Sequence, residues 1–493
     1  MKRLQTIPFF VLLLPVFFVL HGYLANFGYI HPGDAFLLAG IYLLGSAILF
    51  FTLYLFFRNR TKAALLAGFL LAIYFFFGAL QDFLKEYLHP LSRYAVLVPA
   101  MLVTATALII FLRRTSREFP RLFYYLNILF LIYIVVDAVL RVPVKPVRVV
   151  QGTQASPDPI DFSRYQGPKP DIYFLLFDAY ASTKCLRDQY HFDNGDFDRF
   201  LTGKGFHIQS SSRSNYKYTI LSMPSILNMG YLDKLKDVKG GPVAEYYYLS
   251  DLIKDNDLMY WLRWTGYDIV NCSIFDLRGH PSPITESLLP LQTRLITDQT
   301  FYSRFYRDVA WNFYQFTLNP LSEQEIDLSL NNDNKLITLL ESASAAPSAR
   351  PRFFYGHFNI PHPPYYYDKE NRRRKVLAPY RPEDEDRVQD YLDYLNYTNK
   401  RAEEMIDTIL VNTRGQAVIV IMGDHGLRAH DRLGYNPPSF LENQNAVYFP
   451  GRDYHLFYDS ISGVNQFRVI LNSLFGQNLP LLKDSIVNVK DKK

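Results

Sequence analysis

Cysteine is almost missing from this chain. Cys185 and Cys272 are the only two in 493 residues, which excludes a metal site built from thiolates alone and leaves room for one disulfide at most. Pairing of the two suits an oxidising compartment, and two unpaired small residues read the sequence equally well. A strong charge of either sign is also lacking, with 52 basic residues against 47 acidic ones. No dense Lys/Arg stripe interleaved with aromatics occurs, so nucleic acid is not expected as a partner. The small positive balance suits an anionic membrane surface or an anionic substrate.

Apolar and aromatic residues, by contrast, are plentiful. Apolar residues make up 49% of the chain, with 37 Tyr and 39 Phe, and they concentrate ahead of Arg141. Five apolar stretches run approximately Phe9 to Phe27, Phe36 to Phe57, Ala63 to Leu84, Tyr94 to Leu112 and Leu122 to Leu140. Each is near the ~20 residues a helix needs to cross a bilayer. Met1-Lys2-Arg3 resembles the start of a signal peptide, but the long first stretch and the four after it predict a retained anchor.

Basic residues set the expected orientation. Lys2 and Arg3 precede the first stretch, Arg58, Arg60 and Lys62 follow the second, and Arg113, Arg114, Arg117 and Arg121 follow the fourth. The alternate connections carry only Lys85 and Arg93. The positive-inside bias therefore predicts a multi-pass protein with a cytoplasmic N-terminus and everything after Arg141 outside. Asp137 falls near the outer end of the fifth stretch, where a carboxylate can reach the interface. This gives three parts: a five-helix transmembrane domain over 1–141, a Pro-rich membrane-proximal linker over 142–169, and an extracytoplasmic domain over 170–493. The linker's repeated Pro forbids a continuous helix and predicts an extended connector along the membrane surface.

In the third part, apolar runs of strand length alternate with helical patterns. Asp171 to Phe177, Phe353 to Phe358, Ala417 to Met422 and, more weakly, Tyr267 to Cys272 read as strands. Tyr247 to Leu262, Phe301 to Phe316 and Val388 to Leu410 read as helices. Apolar strands separated by helices predict an α/β domain with a mostly parallel sheet flanked by helices. Sites in such sheets lie beyond the C-terminal strand ends. That is where Asp178, His357 and Gly423-Asp424-His425-Gly426 fall. A carboxylate and an imidazole side by side in a Gly-flanked turn are suited to one Zn2+ or Mn2+ ion. Asp178 alone is equally a turn residue.

LLFDAY around Asp178, SNYKYTILSMPSIL, NIPHPPYYY and IMGDHG, taken together and in order, resemble the alkaline phosphatase superfamily. The nearest branch is the one holding sulfatases, lipoteichoic acid synthases and phosphoethanolamine transferases. The resemblance implies an alkaline phosphatase-like fold with one or two divalent ions and no organic cofactor. It implies Asp178, Thr219, Asp424 and His425 as metal ligands, with Thr219 also the nucleophile in a turn that opens a helix. Ser222 is the rival, because Ser222-Met223-Pro224-Ser225 resembles the sulfatase sequence in which Ser or Cys becomes formylglycine. Two departures weaken that alternative: Ile226 stands where sulfatases place Arg, and Ala179 where they usually place a second Asp. His362 resembles a histidine that contacts substrate phosphate or a second metal in membrane transferases and can protonate a leaving alkoxide. His357 and His430 are further candidates for that second metal or phosphate, and Asn215, with Arg213, for binding the transferred anion. Tyr391, Tyr394 and Tyr397 recur on one helix face and read as core packing, with the approach to the site as the alternative.

The expected activity is transfer or hydrolysis of phosphate esters or phosphodiesters, such as phospholipid headgroups, at the outer face of a bacterial cytoplasmic membrane. A covalent threonine intermediate would form, and a glycan, a lipid or water would accept the group. The alternatives are a sulfate ester hydrolase and a catalytically weak lipid-binding regulator.

Overall fold

The computed structural model describes residues 6–27, 30–141, 165, 167–238, 241–284, 293–309, 327–374, 376, 386–429 and 440–489. In chain order the helices and strands used below are α1 (Phe10–Ala25), α2 (Pro32–Phe57), α3 (Arg60–Tyr87), α4 (Tyr94–Arg114), α5 (Pro120–Arg141), β1 (Ile172–Phe177), α6 (Thr183–Tyr190), α7 (Gly195–Lys204), β2 (His207–Ile208), α8 (Thr219–Leu227), α9 (Gly241–Lys254), α10 (Asp257–Trp264), β3 (Asp268–Cys272), α11 (Arg294–Thr297), α12 (Phe301–Asp308), α13 (Leu328–Ala345), β4 (Arg352–Phe358), α14 (Val388–Asn412), β5 (Val418–Gly423), β6 (Asn445–Tyr448) and α15 (Gly463–Phe475).

The chain divides into two units, and the division departs from the sequence expectation. One unit joins residues 1–148 to 286–318, and the other joins 149–285 to 319–493. Among the described residues of the first unit, four helices, α2 to α5, are long and apolar enough to cross a membrane, so the chain is membrane-anchored. The first apolar stretch forms a shorter helix of 16 residues. Its N-terminal end is capped through Asn127 on α5, which accepts from Phe10 N at 2.7 Å and donates to Ile7 O at 2.8 Å. Toward its other end, His21 meets Asp137 of α5 at 2.6 Å.

The helical pattern that starts at Phe301 was expected to cover the sheet, but α11 and α12 belong to the membrane unit. Gly78 of α3 lets their connection approach backbone to backbone, with Gly78 N donating to Gln299 O at 2.8 Å. A Cβ on Gly78 would lie 2.9 Å from Gln299 Cα. The buried Arg304 guanidinium places two parallel hydrogen bonds of 2.8 Å on the Asp82 carboxylate, the fork geometry in which arginine binds most strongly. Phe301 packs edge-on against Phe77 with 5.0 Å between centroids. The second half of the expected Phe301 to Phe316 helix, like the linker over 142–164, lies outside the described residues.

The second unit is built on a six-stranded sheet ordered β2-β6-β5-β1-β4-β3. β5, β1, β4 and β3 run parallel, while β6 and β2 add an antiparallel edge. β1 is central and wholly buried, because IYFLLF offers an apolar side chain to both faces. Alternation at a period of two then sorts the core. Tyr173, Leu175 and Phe177 face Leu336 and Leu340 of α13 and Tyr391, Leu395 and Ile406 of α14. Ile172, Phe174 and Leu176 face Met223 of α8, Leu258 of α10 and Phe467 and Ile470 of α15. Helices thus cover both faces, as a mostly parallel sheet requires. The single helix expected over Tyr247 to Leu262 is broken in two, since Asn256 caps α10 by accepting from Met259 N at 2.9 Å. Cys185 and Cys272 are both buried and are not joined in a disulfide, so the disulfide alternative does not hold, and burial pushes the Cys272 thiol up to about 12.

Candidate metal and nucleophile site

The site is assembled where β1 and β5 end side by side. Asp178 follows Phe177, and its N–H continues the ladder to Phe358 O at 3.0 Å. Ala179 then turns through the left-handed region at φ +63°. This aims Ala179 N at Asp424 Oδ1, 3.0 Å away. At the end of β5, Gly423 has no room for a side chain, since a Cβ would sit 2.4 Å from Tyr180 O. Asp424 and His425 follow directly. Asp424 Oδ1 also accepts from His425 N at 2.9 Å, so backbone donors occupy this oxygen and Oδ2 points the other way.

His425 is held by Nδ1 against Gly426 O at 2.8 Å. A carbonyl only accepts, so Nδ1 carries the proton and in the neutral ring Nε2 presents a lone pair. That lone pair faces Asp178 Oδ1 at 3.6 Å, Asp424 Oδ2 at 3.4 Å and Thr219 Oγ1 at 3.4 Å. Ligand atoms of Asp178, Asp424 and His425 all lie within 4.8 Å of one another, and all three residues are buried. An imidazole lone pair gathered with two carboxylates away from water is repulsive unless a cation sits among them. The donor set, one nitrogen and carboxylate oxygens, fits Zn2+ or Mn2+.

Thr219 opens α8, so its hydroxyl stands at the positive end of a helix, beside the same three groups. Burial pushes Asp424 up, but His425, His357, a hydrogen bond from Thr219 and the Ala179 N–H together hold it below its ordinary value.

The other candidates divide. His357, on β4, is fully buried, with Nδ1 3.2 Å from Tyr355 OH and Nε2 without a hydrogen-bond partner among the described residues. Burial lowers it to about 4, with His425 and His362 adding repulsion and Asp424 opposing. It therefore stands neutral beside the site, outside the three-residue cluster. His362 is half-buried after the cis Ile360-Pro361 bond, and its Nδ1 meets Pro363 O at 2.8 Å.

Ser222 and Asn215 are not available for the roles expected of them. The Ser222 hydroxyl is buried and committed to Tyr216 O and Ser214 Oγ, each at 3.0 Å. Asn215 is buried and committed through both ends of its amide. It donates to Ser462 Oγ at 3.0 Å and Ser485 O at 2.9 Å and accepts from Val464 N at 2.9 Å. Arg213 is exposed and pairs with Glu442 at 3.1 Å. His430 lies outside the described residues.

One residue read as core packing also serves the site. Tyr391 is buried, and its hydroxyl donates to Ala179 O at 2.9 Å and accepts from Ala181 N at 3.1 Å, pinning the turn after Asp178. Asn443, which no motif marks, donates to Gly423 O beside the ligand pair.

The profile of the Sulfatase family matches residues 288–466. The match takes in His357, His362, Asp424 and His425, and Asp178 and Thr219 precede it. The matched residues include β4, β5 and β6 of the mixed sheet, which helices cover on both faces. Similar solved structures include the C-terminal periplasmic domain of EptC from Escherichia coli, at 13% identity over 66% of this chain and 88% of that one, TM-score 0.40. The corresponding domain of the phosphoethanolamine transferase EptC from Campylobacter jejuni matches at 13% identity, covering 64% and 92%, TM-score 0.40. BT1596, a 2-O GAG sulfatase, matches at 14%, covering 66% and 76%, TM-score 0.38. No curated protein sequence matches the chain.

Proposed function

We propose that this protein is a membrane-anchored, metal-dependent transferase or hydrolase of phosphodiesters, with a phospholipid headgroup as the group moved and Thr219 as the nucleophile. The observation that carries this reading is the Thr219 hydroxyl lying 3.4 Å from His425 Nε2, at a helix start and against two buried carboxylates. Asp178, Asp424 and His425 would hold a divalent ion, with Thr219 as a fourth ligand. Such an ion lowers the pKa of a bound hydroxyl and opposes charge on a phosphoryl oxygen.

The chain's own groups account for the rest. Thr219 Oγ1 attacks phosphorus, and its proton leaves along the hydrogen bond to Asp424. The bond from phosphorus to the lipid alcohol breaks, and His362 supplies the proton that the leaving alkoxide takes up. The first turn of α8 directs backbone dipoles toward the transferred phosphoryl oxygens. In the second step a hydroxyl of a glycan or lipid, or water, gives its proton to His362 and attacks the same phosphorus, and the bond from phosphorus to Thr219 breaks as Thr219 Oγ1 takes back the proton from Asp424. His357, neutral and buried, supports the pocket. Confinement of enzyme and lipid to one membrane raises their effective concentration. The charge pattern of the connections between apolar helices supports a cytoplasmic N-terminus and an outward catalytic unit in a bacterial cytoplasmic membrane.

Sulfate ester hydrolysis remains the second reading because of the family match. The committed Ser222 hydroxyl and Ala179 after Asp178 speak against it. The test is turnover by the full-length protein in vesicles of bacterial phospholipids. Diacylglycerol release that stops with a chelator and returns with Zn2+ or Mn2+ is expected. Turnover of aryl sulfate with none of the phospholipid would replace this reading with the second.

A further inference from the structure

The ladder between β5 and β6 ends in a way that bears on the metal ligands. Its last register pair is Met422 with Asn445. Gly423 N then donates to Gln444 O at 2.8 Å. One residue earlier in that segment, a side chain takes over from the backbone, and Asn443 Nδ2 donates to Gly423 O. Both polar groups of Gly423 are thereby held. Its carbonyl belongs to the peptide plane from which Asp424 springs, so rotation of that plane would swing Asp424 and His425 away from Asp178.

Asn443 is itself fixed by a line of buried polar groups. Its Oδ1 accepts from Ser212 Oγ at 3.0 Å, Ser212 Oγ accepts from Asn445 Nδ2 at 3.1 Å, and Asn445 Nδ2 also donates to Gln466 Oε1 at 2.8 Å. All four residues are completely buried, where an unmade hydrogen bond is expensive and a made one is rigid. Gln466 lies in the first turns of α15. Two residues earlier, Val464 N donates to Asn215, four residues ahead of Thr219. The start of α15 therefore anchors both the segment that delivers the nucleophile and the line that ends on Gly423.

We infer that Asn443 is a positioning residue for the metal centre, holding the Gly423 carbonyl so that Asp424 and His425 stay pointed at Asp178. The inference rests on the metal reading given above. It assigns to an amide outside the ligand set the orienting task that partners of ligands commonly perform, and loss of such partners lowers metal affinity about 10–100-fold.

Asn443→Asp tests it narrowly. The Oδ1 acceptor for Ser212 is kept, while the donor facing Gly423 O becomes an oxygen. Ser212→Ala, one step along the line, is read if that variant does not fold. Asn256→Ala is the structural control, a buried amide that caps α10 by accepting from Met259 N and donates to Ile253 O of α9. Full-length protein in detergent is stripped with a chelator, and Zn2+ affinity is measured by calorimetry alongside the melting temperature of the metal-free protein. Asn443→Asp is expected to weaken Zn2+ binding by about tenfold or more, and Ser212→Ala to weaken it in the same direction. Asn256→Ala is expected to lower the melting temperature and leave affinity as in the wild type. Wild-type affinity in Asn443→Asp, or in Ser212→Ala where Asn443→Asp does not fold, overturns the inference while the metal reading stands. A wild-type protein that binds no Zn2+ overturns both.

Discussion

Thr219→Ala lowers turnover by about three orders of magnitude or more, the scale on which removal of an attacking nucleophile acts, while folding and most metal binding survive. The reason is local. Thr219 is only half-buried, it begins α8 rather than sitting within it, and its hydroxyl is directed at His425 and Asp424 rather than at the backbone. Its loss leaves three charged or basic ligands intact and removes one hydroxyl and one methyl at a half-buried helix start, so the stability change is about 1 kcal/mol or less. Ser222→Ala is the opposite case. It deletes a buried hydroxyl that makes two hydrogen bonds, which costs about 1–3 kcal/mol, and turnover stays within a few-fold of wild type. Kinetics and thermal melting of the two variants side by side decide the matter. If Ser222→Ala is inactive and Thr219→Ala is active, the nucleophile assignment is wrong.

His425→Ala removes metal binding. The Nε2 lone pair is the only nitrogen in the cluster of Asp178, Asp424 and His425, and two carboxylates without it form a weaker site for Zn2+. A loss of more than about a hundredfold is expected, beyond what orienting partners alone produce. The effect also appears without any assay of activity. A ligand at a hundred times its Kd stabilises the folded state by about 2.7 kcal/mol, so the wild-type melting temperature rises on Zn2+ addition and that of His425→Ala does not. An equal Zn2+-dependent rise in the variant would show that His425 is not a ligand.

The parts of this architecture that rest on local pattern were legible in the sequence. IYFLLF and AVIVIM are too short and too apolar for anything but buried strands, so Asp178 and Asp424-His425 could be placed at strand ends from the chain alone. Roles that depend on distant partners were not. The amide of Asn215 looked available for an anion because nothing nearby in the chain claims it, but its partners Ser462 and Ser485 lie 247 and 270 residues away. Ser222 was similarly ambiguous until Ser214 and Tyr216 were seen to fold back onto it. The FYSRFYRD helix has the amphipathic pattern of a sheet-covering element. What draws it into the membrane unit is Asp82, 222 residues before Arg304, together with an approach that only the glycine at position 78 permits. Asn443 carries no motif because its task is set by a carbonyl, and any backbone has those.

Intact mass and peptide mapping of the full-length protein after incubation with bacterial phospholipids and Zn2+ or Mn2+ test the central claim most directly. The account predicts a phosphate or phosphoalkyl adduct on the peptide carrying Thr219, absent from Thr219→Ala and from chelator-treated protein, with a mass that identifies the group moved. An adduct on any other residue, or lipid turnover that proceeds undiminished in Thr219→Ala, would contradict it.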